Sequence, residues 1–162
     1  MPVQSKSKGN TFERKISIHF SERFANHVGI ESSFRRNLDS GSFFGATNQK
    51  RIKTHDTDSA QFGDIITPTA FKYGIECKAY KTAPAFASII KQEYKLFDTW
   101  LSQAKQDAKN AGKMMLLIVK FNNVPEFVVI EGKDDDAIMY YKDHAIIALD
   151  KWLSKPDSHY FD

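Results

Sequence analysis

Gly63-Asp64-Ile65-Ile66 and, a short segment later, Gly74-Ile75-Glu76-Cys77-Lys78 are the two stretches on which the fold of this 162-residue chain turns. Side chains alternate along a strand, so Glu76 and Lys78 share one face while Ile75 and Cys77 point to the other. Joining the stretches as an antiparallel hairpin closed between Thr67 and Tyr73 sets Asp64 opposite Glu76, and Ile65 opposite Ile75. The isoleucines then make core. The carboxylates make a problem, because like charges directly across a strand pair, about 5 Å apart, destabilise a sheet.

Working outward, Phe62–Thr67 and Tyr73–Ala79 read as the two strands. Met114–Phe121 is a continuous apolar run, the pattern of a strand buried on both faces. Phe127–Glu131 reads as a further strand, reached through Asn122-Asn123-Val124-Pro125. Before the hairpin, Phe12, Ile16, Phe20 and Phe24 recur every four residues and predict a helix over Asn10–Asn26. Asn10 fits its N-cap, with Glu13 completing a capping box. Ser33–Arg36 reads as a short strand, and Asn37–Gln61 as a long loop. Ile89, Ile90, Tyr94, Phe97, Leu101, Ala104 and Ala108 predict one long helix over Phe86–Ala111, stopped by Gly112. A last helix is expected over Asp143–Leu153. The organisation expected is a flexible basic arm (1–9), one domain (10–155) and a ragged C-terminal tail (156–162). The order of elements implies an α/β fold, a mixed sheet with helices against it.

The hydrophobic share of 41% suits a packed globule and excludes a disordered chain. No apolar run approaches the length of a membrane span, and the N-terminus lacks the apolar core of a secretory signal. Cys77 is the only cysteine, which excludes an internal disulfide and a cysteine-rich zinc cluster. An intracellular protein is therefore expected. The net charge of +3 is unevenly spread: ten Lys/Arg and four Asp/Glu lie up to His55, against 13 and 16 in the remainder. A basic N-terminal third suits an anionic partner, and nucleic acid comes first among these.

The opposed carboxylates suggest how their repulsion is offset. Two hard oxygen ligands suit Mg²⁺ or Mn²⁺, which keep several waters and also take substrate phosphate. Lys78 beside them is placed to orient or help deprotonate a water and to stabilise charge on a phosphate. A solvated strand face carrying a Glu–Lys pair is the competing reading.

These residues together resemble the PD-(D/E)xK nuclease superfamily and, within it, the archaeal-type Holliday-junction resolvases also carried by phages. The matching stretches are Lys8-Gly9-Asn10-Thr11-Phe12-Glu13-Arg14, Arg35-Arg36 to Ser40-Gly41-Ser42, Gly63-Asp64-Ile65-Ile66 and Ile75-Glu76-Cys77-Lys78, over roughly residues 6–131. The resemblance implies a restriction-endonuclease-like mixed central sheet flanked by helices. It also implies a homodimer that binds branched double-stranded DNA, and paired nicks at four-way junctions with Mg²⁺ (or Mn²⁺) as cofactor. Carried over by position, Asp64 and Glu76 become metal ligands with the backbone carbonyl of Cys77, and Lys78 the catalytic lysine. Glu13 becomes a further acidic participant, and Ser40 or Ser42 an assisting serine. Gln103 falls where related nucleases carry a glutamine. The chain departs from the pattern in carrying Gly63 where the superfamily's name puts proline, and Cys77 where an aliphatic residue is usual.

Lys6, Lys8, Arg14, Arg35, Arg36, Lys50, Arg51 and Lys53 are candidates for phosphate contacts, which position a protein on DNA without reading its sequence. The five histidines show no paired spacing for zinc, and Asp134-Asp135-Asp136 lacks the alternating ligands of a calcium loop. Trp100 and Trp152 read as core or interface anchors. The expected function is structure-selective, metal-dependent DNA hydrolysis. Its rivals are a phage restriction-type or end-processing nuclease and an inactive DNA-binding module.

Overall fold

A computed structural model describes residues 2–29, 34–38 and 62–162, with the backbone alone for residues 2–6. Two helices, α1 (Pro2–Arg23) and α2 (Ala25–Val28), precede strands β1 (Arg35–Arg36), β2 (Ile65–Ile66) and β3 (Tyr73–Tyr80). Helices α3 (Phe86–Ile90) and α4 (Lys95–Asn110) lead into β4 (Met114–Phe121) and β5 (Phe127–Glu131). β6 (Met139–Tyr141), β7 (His144–Ala148) and α5 (Leu149–Leu153) follow. The strands form one seven-stranded sheet ordered β1-β2-β3-β4-β5-β7-β6. β3 and β4 run parallel; the other neighbours are antiparallel. This is the expected α/β restriction-endonuclease-like architecture, a mixed sheet with helices on both faces.

The apolar run of β4 explains its central place. Leu116, Leu117, Ile118 and Val119 are all fully buried, because each face of the strand meets a separate core. On one face Ile75, Cys77, Leu116 and Ile118 pack with Phe12, Ile16, Phe20 and Phe24 of α1 and with Trp152 of α5. On the other, Leu117, Val119 and Val129 pack with Phe97, Trp100, Leu101, Ala104 and Ala108 of α4. Both tryptophans are core residues, as their helical spacing suggests.

Several boundaries differ from expectation. α1 starts at Pro2, so the backbone of residues 2–9 is helical and Asn10 lies inside the helix. The capping box of Asn10 and Glu13 therefore does not form. β2 is only two residues long, since Phe62–Asp64 bend away from ladder geometry. The long helix is broken: Gln92 takes φ 58°, and the Tyr94 N–H that would continue the helix is held by the Tyr141 hydroxyl at 3.0 Å. Residues 139–148 form β6 and β7, leaving only Leu149–Leu153 helical. His144-Ala145-Ile146-Ile147 pairs along β5 and is buried throughout, and burial on both faces hides strand alternation. The C-terminal residues are no ragged tail. Tyr160 and Phe161 are buried against Phe24, Phe71 and Trp152, and Phe161 bridges to Phe71. No described helix is long and apolar enough to cross a membrane.

Candidate active site

The β2–β3 hairpin has the register read from its alternation: Ile65 pairs with Ile75. Asp64 follows at the mouth of β2, where its N–H donates to the Ile75 carbonyl at 2.9 Å. Its Oδ2 accepts the Cys77 N–H at 2.8 Å, which fixes the carboxylate beside β3. Gly63 makes this turn possible. It adopts φ 81°, and a Cβ there would stand 2.6 Å from the Ile75 carbonyl oxygen. Proline, with φ near −65°, could not occupy the position.

Glu76 and Lys78 project on the α4 side of β3, opposite Ile75 and Cys77. Asp64 and Glu76 are both buried, at 7% and 2% exposure. Lys78 Nζ stands 2.6 Å from Glu76 Oε1. Even with this ion pair, burial first and the Asp64 charge second push the Glu76 carboxyl up to about 8. Burial would lower the Lys78 ammonium, but Glu76 and Asp64 outweigh it and raise it above its usual value. Lys78 therefore carries its proton at neutral pH.

Glu13 reaches the same site from α1. Its carboxyl is raised by burial, with an opposing hydrogen bond from Arg36 and a further upward push from Asp64. Arg36 Nε donates to Glu13 Oε2 at 2.6 Å, and its second arm donates to Asn10 Oδ1 at 2.6 Å. The arrangement of Asn10 and Glu13 is thus a guanidinium clamp, not a helix cap. Cys77 lies on the opposite face with its thiol buried and pushed well above its ordinary value, by burial and then by Asp64. Only its backbone faces the carboxylates.

Ser40, Ser42, Lys50, Arg51 and Lys53 lie outside the described residues, as does the side chain of Lys6. Lys8, Arg14 and Arg35 are exposed, whereas Arg36 is half-buried and committed to Glu13. Lys15 and Lys120, which the sequence reading passed over, line a groove with Lys8, Thr11 and Asn122 beside Tyr80, two residues beyond Lys78.

One acid was missed altogether. Asp107 of α4 is buried, at 4% exposure, within hydrogen-bond reach of the Glu76 carboxyl. Burial and then Asp64 raise it to about 6. Its position three residues after Ala104 and seven after Trp100 puts it on the buried stripe, the one signal that could have found it. Gln103, one turn earlier, is half-buried.

Among the described residues, no group of three His, Cys, Asp or Glu side chains is gathered closely enough to hold an ion alone. Mg²⁺ does not require one, since it takes one or two carboxylates and keeps water in its other positions. Burial and then the Asp64 charge raise Glu76 and Asp107, and a cation beside these carboxyls would offset both costs, so the residues present fit it.

A family model described as "Phage putative PDDEXK endonuclease" matches residues 4–155. No curated protein and no solved structure matches the chain.

Proposed function

The chain belongs to this phage PDDEXK endonuclease family, and on that premise we propose that it is a divalent-cation-dependent DNA endonuclease selective for branched DNA, resolving four-way junctions by paired nicks. The observation that carries the reading is the nearness of the Asp64 charge to the buried Glu76 carboxyl, with Lys78 ion-paired to Glu76. In that reading Asp64, Glu76 and the Cys77 carbonyl hold Mg²⁺ or Mn²⁺. The bound cation would lower the pKa of water and polarise the scissile phosphate.

Asp64 is held for this task by the Cys77 N–H, which donates to its Oδ2. Lys78 directs its ammonium at the negative charge that grows on the phosphate oxygens as water attacks in line. A bond forms between the water oxygen and phosphorus while the bond to the leaving sugar oxygen breaks, with the attacking water shedding a proton to solvent water and the leaving oxygen taking one up from it. Glu13, clamped by Arg36, would add a further carboxylate within electrostatic reach of Asp64 and Lys78. Ser40 or Ser42, outside the described residues, would assist as the family resemblance implies. Lys8, Lys15 and Lys120 suit phosphates of the same strand beyond the cut, and the basic N-terminal third suits the arms of a junction. Symmetric nicking requires two copies of the site, so the acting form is a homodimer working inside the host cell.

The test is incubation of the full chain with labelled four-way junctions, plain duplexes and single-strand ends, each with and without Mg²⁺. Paired nicks near the branch point support junction resolution. Cleavage confined to ends or to linear duplex would instead identify an end-processing or restriction-type nuclease of the same family. Absence of any cation-dependent scission would leave a DNA-binding module.

A further inference from the structure

Asp107 has no structural reason to be an acid. It sits in the last turn of α4, where the helix dipole disfavours negative charge. It is 4% exposed, and its Oδ1 has no hydrogen-bond partner among the described residues. A buried carboxylate whose one side-chain partner is a second acid, Glu76, is strongly unfavourable, whereas the alanines flanking it on the same stripe, Ala104 and Ala108, fill such positions at no such cost.

The backbone is shaped to bring this carboxyl close. Gly74 lies on the α4 face of β3, two residues before Glu76, and a Cβ there would meet Ala108 Cα at 3.2 Å. The Gly74–Ala108 contact thus lets α4 press against β3 at the level that sets Asp107 beside Glu76. Asp107 shares a face with Glu76 and feels the charge of Asp64.

We propose that Asp107 is a positioning residue of the cation site, its carboxylate accepting hydrogen bonds from water around a divalent ion held by Asp64 and Glu76. The inference rests on the reading of that site given above. The role runs through water because the described residues form no three-donor cage. Outer partners of this kind typically account for about 10–100-fold in metal affinity when removed.

The test is titration calorimetry of the full chain with Mn²⁺ as the probe, comparing wild type, Asp107→Asn, Asp107→Ala and Glu76→Gln. The shift of the thermal midpoint on adding Mn²⁺ gives a second readout. Asp107→Asn keeps the shape of the side chain and is expected to fold, as near-UV circular dichroism will report. Its Mn²⁺ affinity is expected to fall at least tenfold. The cation concentration giving half-maximal cleavage rises in step, while the Kd for junction DNA without cation stays unchanged. Mn²⁺ affinity within twofold of wild type in both Asp107 variants overturns the proposal. If Glu76→Gln loses Mn²⁺ while Asp107→Asn does not, the Asp107 role alone falls. If wild type takes up no Mn²⁺, the Asp64–Glu76 site and the Asp107 role fall together.

Discussion

Gly63 passes over the carbonyl of Ile75 so closely that a methyl group at its Cα would lie 2.6 Å from the oxygen. Its φ of 81° is a second barrier to any side chain. Because Asp64 is the next residue, this approach decides where the first carboxylate stands. Gly63→Ala is expected to cost about 1–3 kcal/mol of stability, measured by urea denaturation. Cleavage should fall by more than the loss of folded protein explains. A variant as stable and active as wild type would show that the approach is not required.

Asp64→Asn and Lys78→Ala separate chemistry from binding. Each removes charge from the site without touching the exposed basic residues. Cleavage of a labelled junction in Mg²⁺ should drop by at least about 100-fold in both. The Kd for the same junction, measured by gel shift without cation, should change little. Full cleavage by either variant would refute the site.

Acid–base behaviour gives a test that needs no DNA. Glu76, pushed up to about 8 by burial and by Asp64, binds its proton more tightly folded than unfolded, where its ordinary value is 4.5. The benefit to folding is complete below the unfolded value and is lost as pH rises through the folded one. Asp107, raised to about 6, acts in the same direction over a lower range. Scanning calorimetry of cation-free protein should therefore show the thermal midpoint falling from about pH 5 to about pH 8. Glu76→Gln should flatten the fall, and Mg²⁺ should reverse it at the alkaline end. A wild-type midpoint independent of pH over this window would contradict the assignment.

The two adjacent arginines of β1 should behave differently. Arg35 is exposed, whereas Arg36 is bound to Glu13 and Asn10. If Arg35 meets a phosphate, Arg35→Ala lowers the slope of log affinity against log salt by about one. Arg36→Ala leaves the slope unchanged but releases Glu13, and should show its defect in cleavage. Fluorescence anisotropy over a salt series distinguishes them, and equal slope changes would put both arginines on DNA.

The hairpin was legible because its alternation admits one sensible register, with Ile65 on Ile75 and the acids on the other face. β4 and β5 were legible in full, since an unbroken apolar run bounded by turn residues leaves few alternatives. The failures share a cause in tertiary contact. The break at Gln92 depends on the Tyr141 hydroxyl, a residue about fifty positions away. The buried strand β7 carries no alternation to separate it from a helix. Tyr160 and Phe161 read as a loose end, yet two large aromatic side chains at a terminus are ample to dock it. At the site, Asp64, Glu76 and Lys78 fell together from strand geometry alone. For Glu13, spacing alone favours a cap because the helix starts earlier than its apolar stripe, and only the family resemblance makes it an acidic participant; Asp107 reads as one more acid on a polar-looking helix. The order of motifs carried the superfamily, which residues 4–155 now place among phage endonucleases.

β3 lies between β2 and β4, and all eight of its residues pair in parallel with β4, which is completed only at Phe121. A growing polypeptide that has just acquired Lys78 thus owns both hairpin acids and the lysine without the strand that holds them in plane. Asp107 arrives some thirty residues later and cannot dock until β4 is paired. The plane in which the two hairpin acids and the lysine lie is consequently fixed by a strand that the chain supplies some forty residues after them.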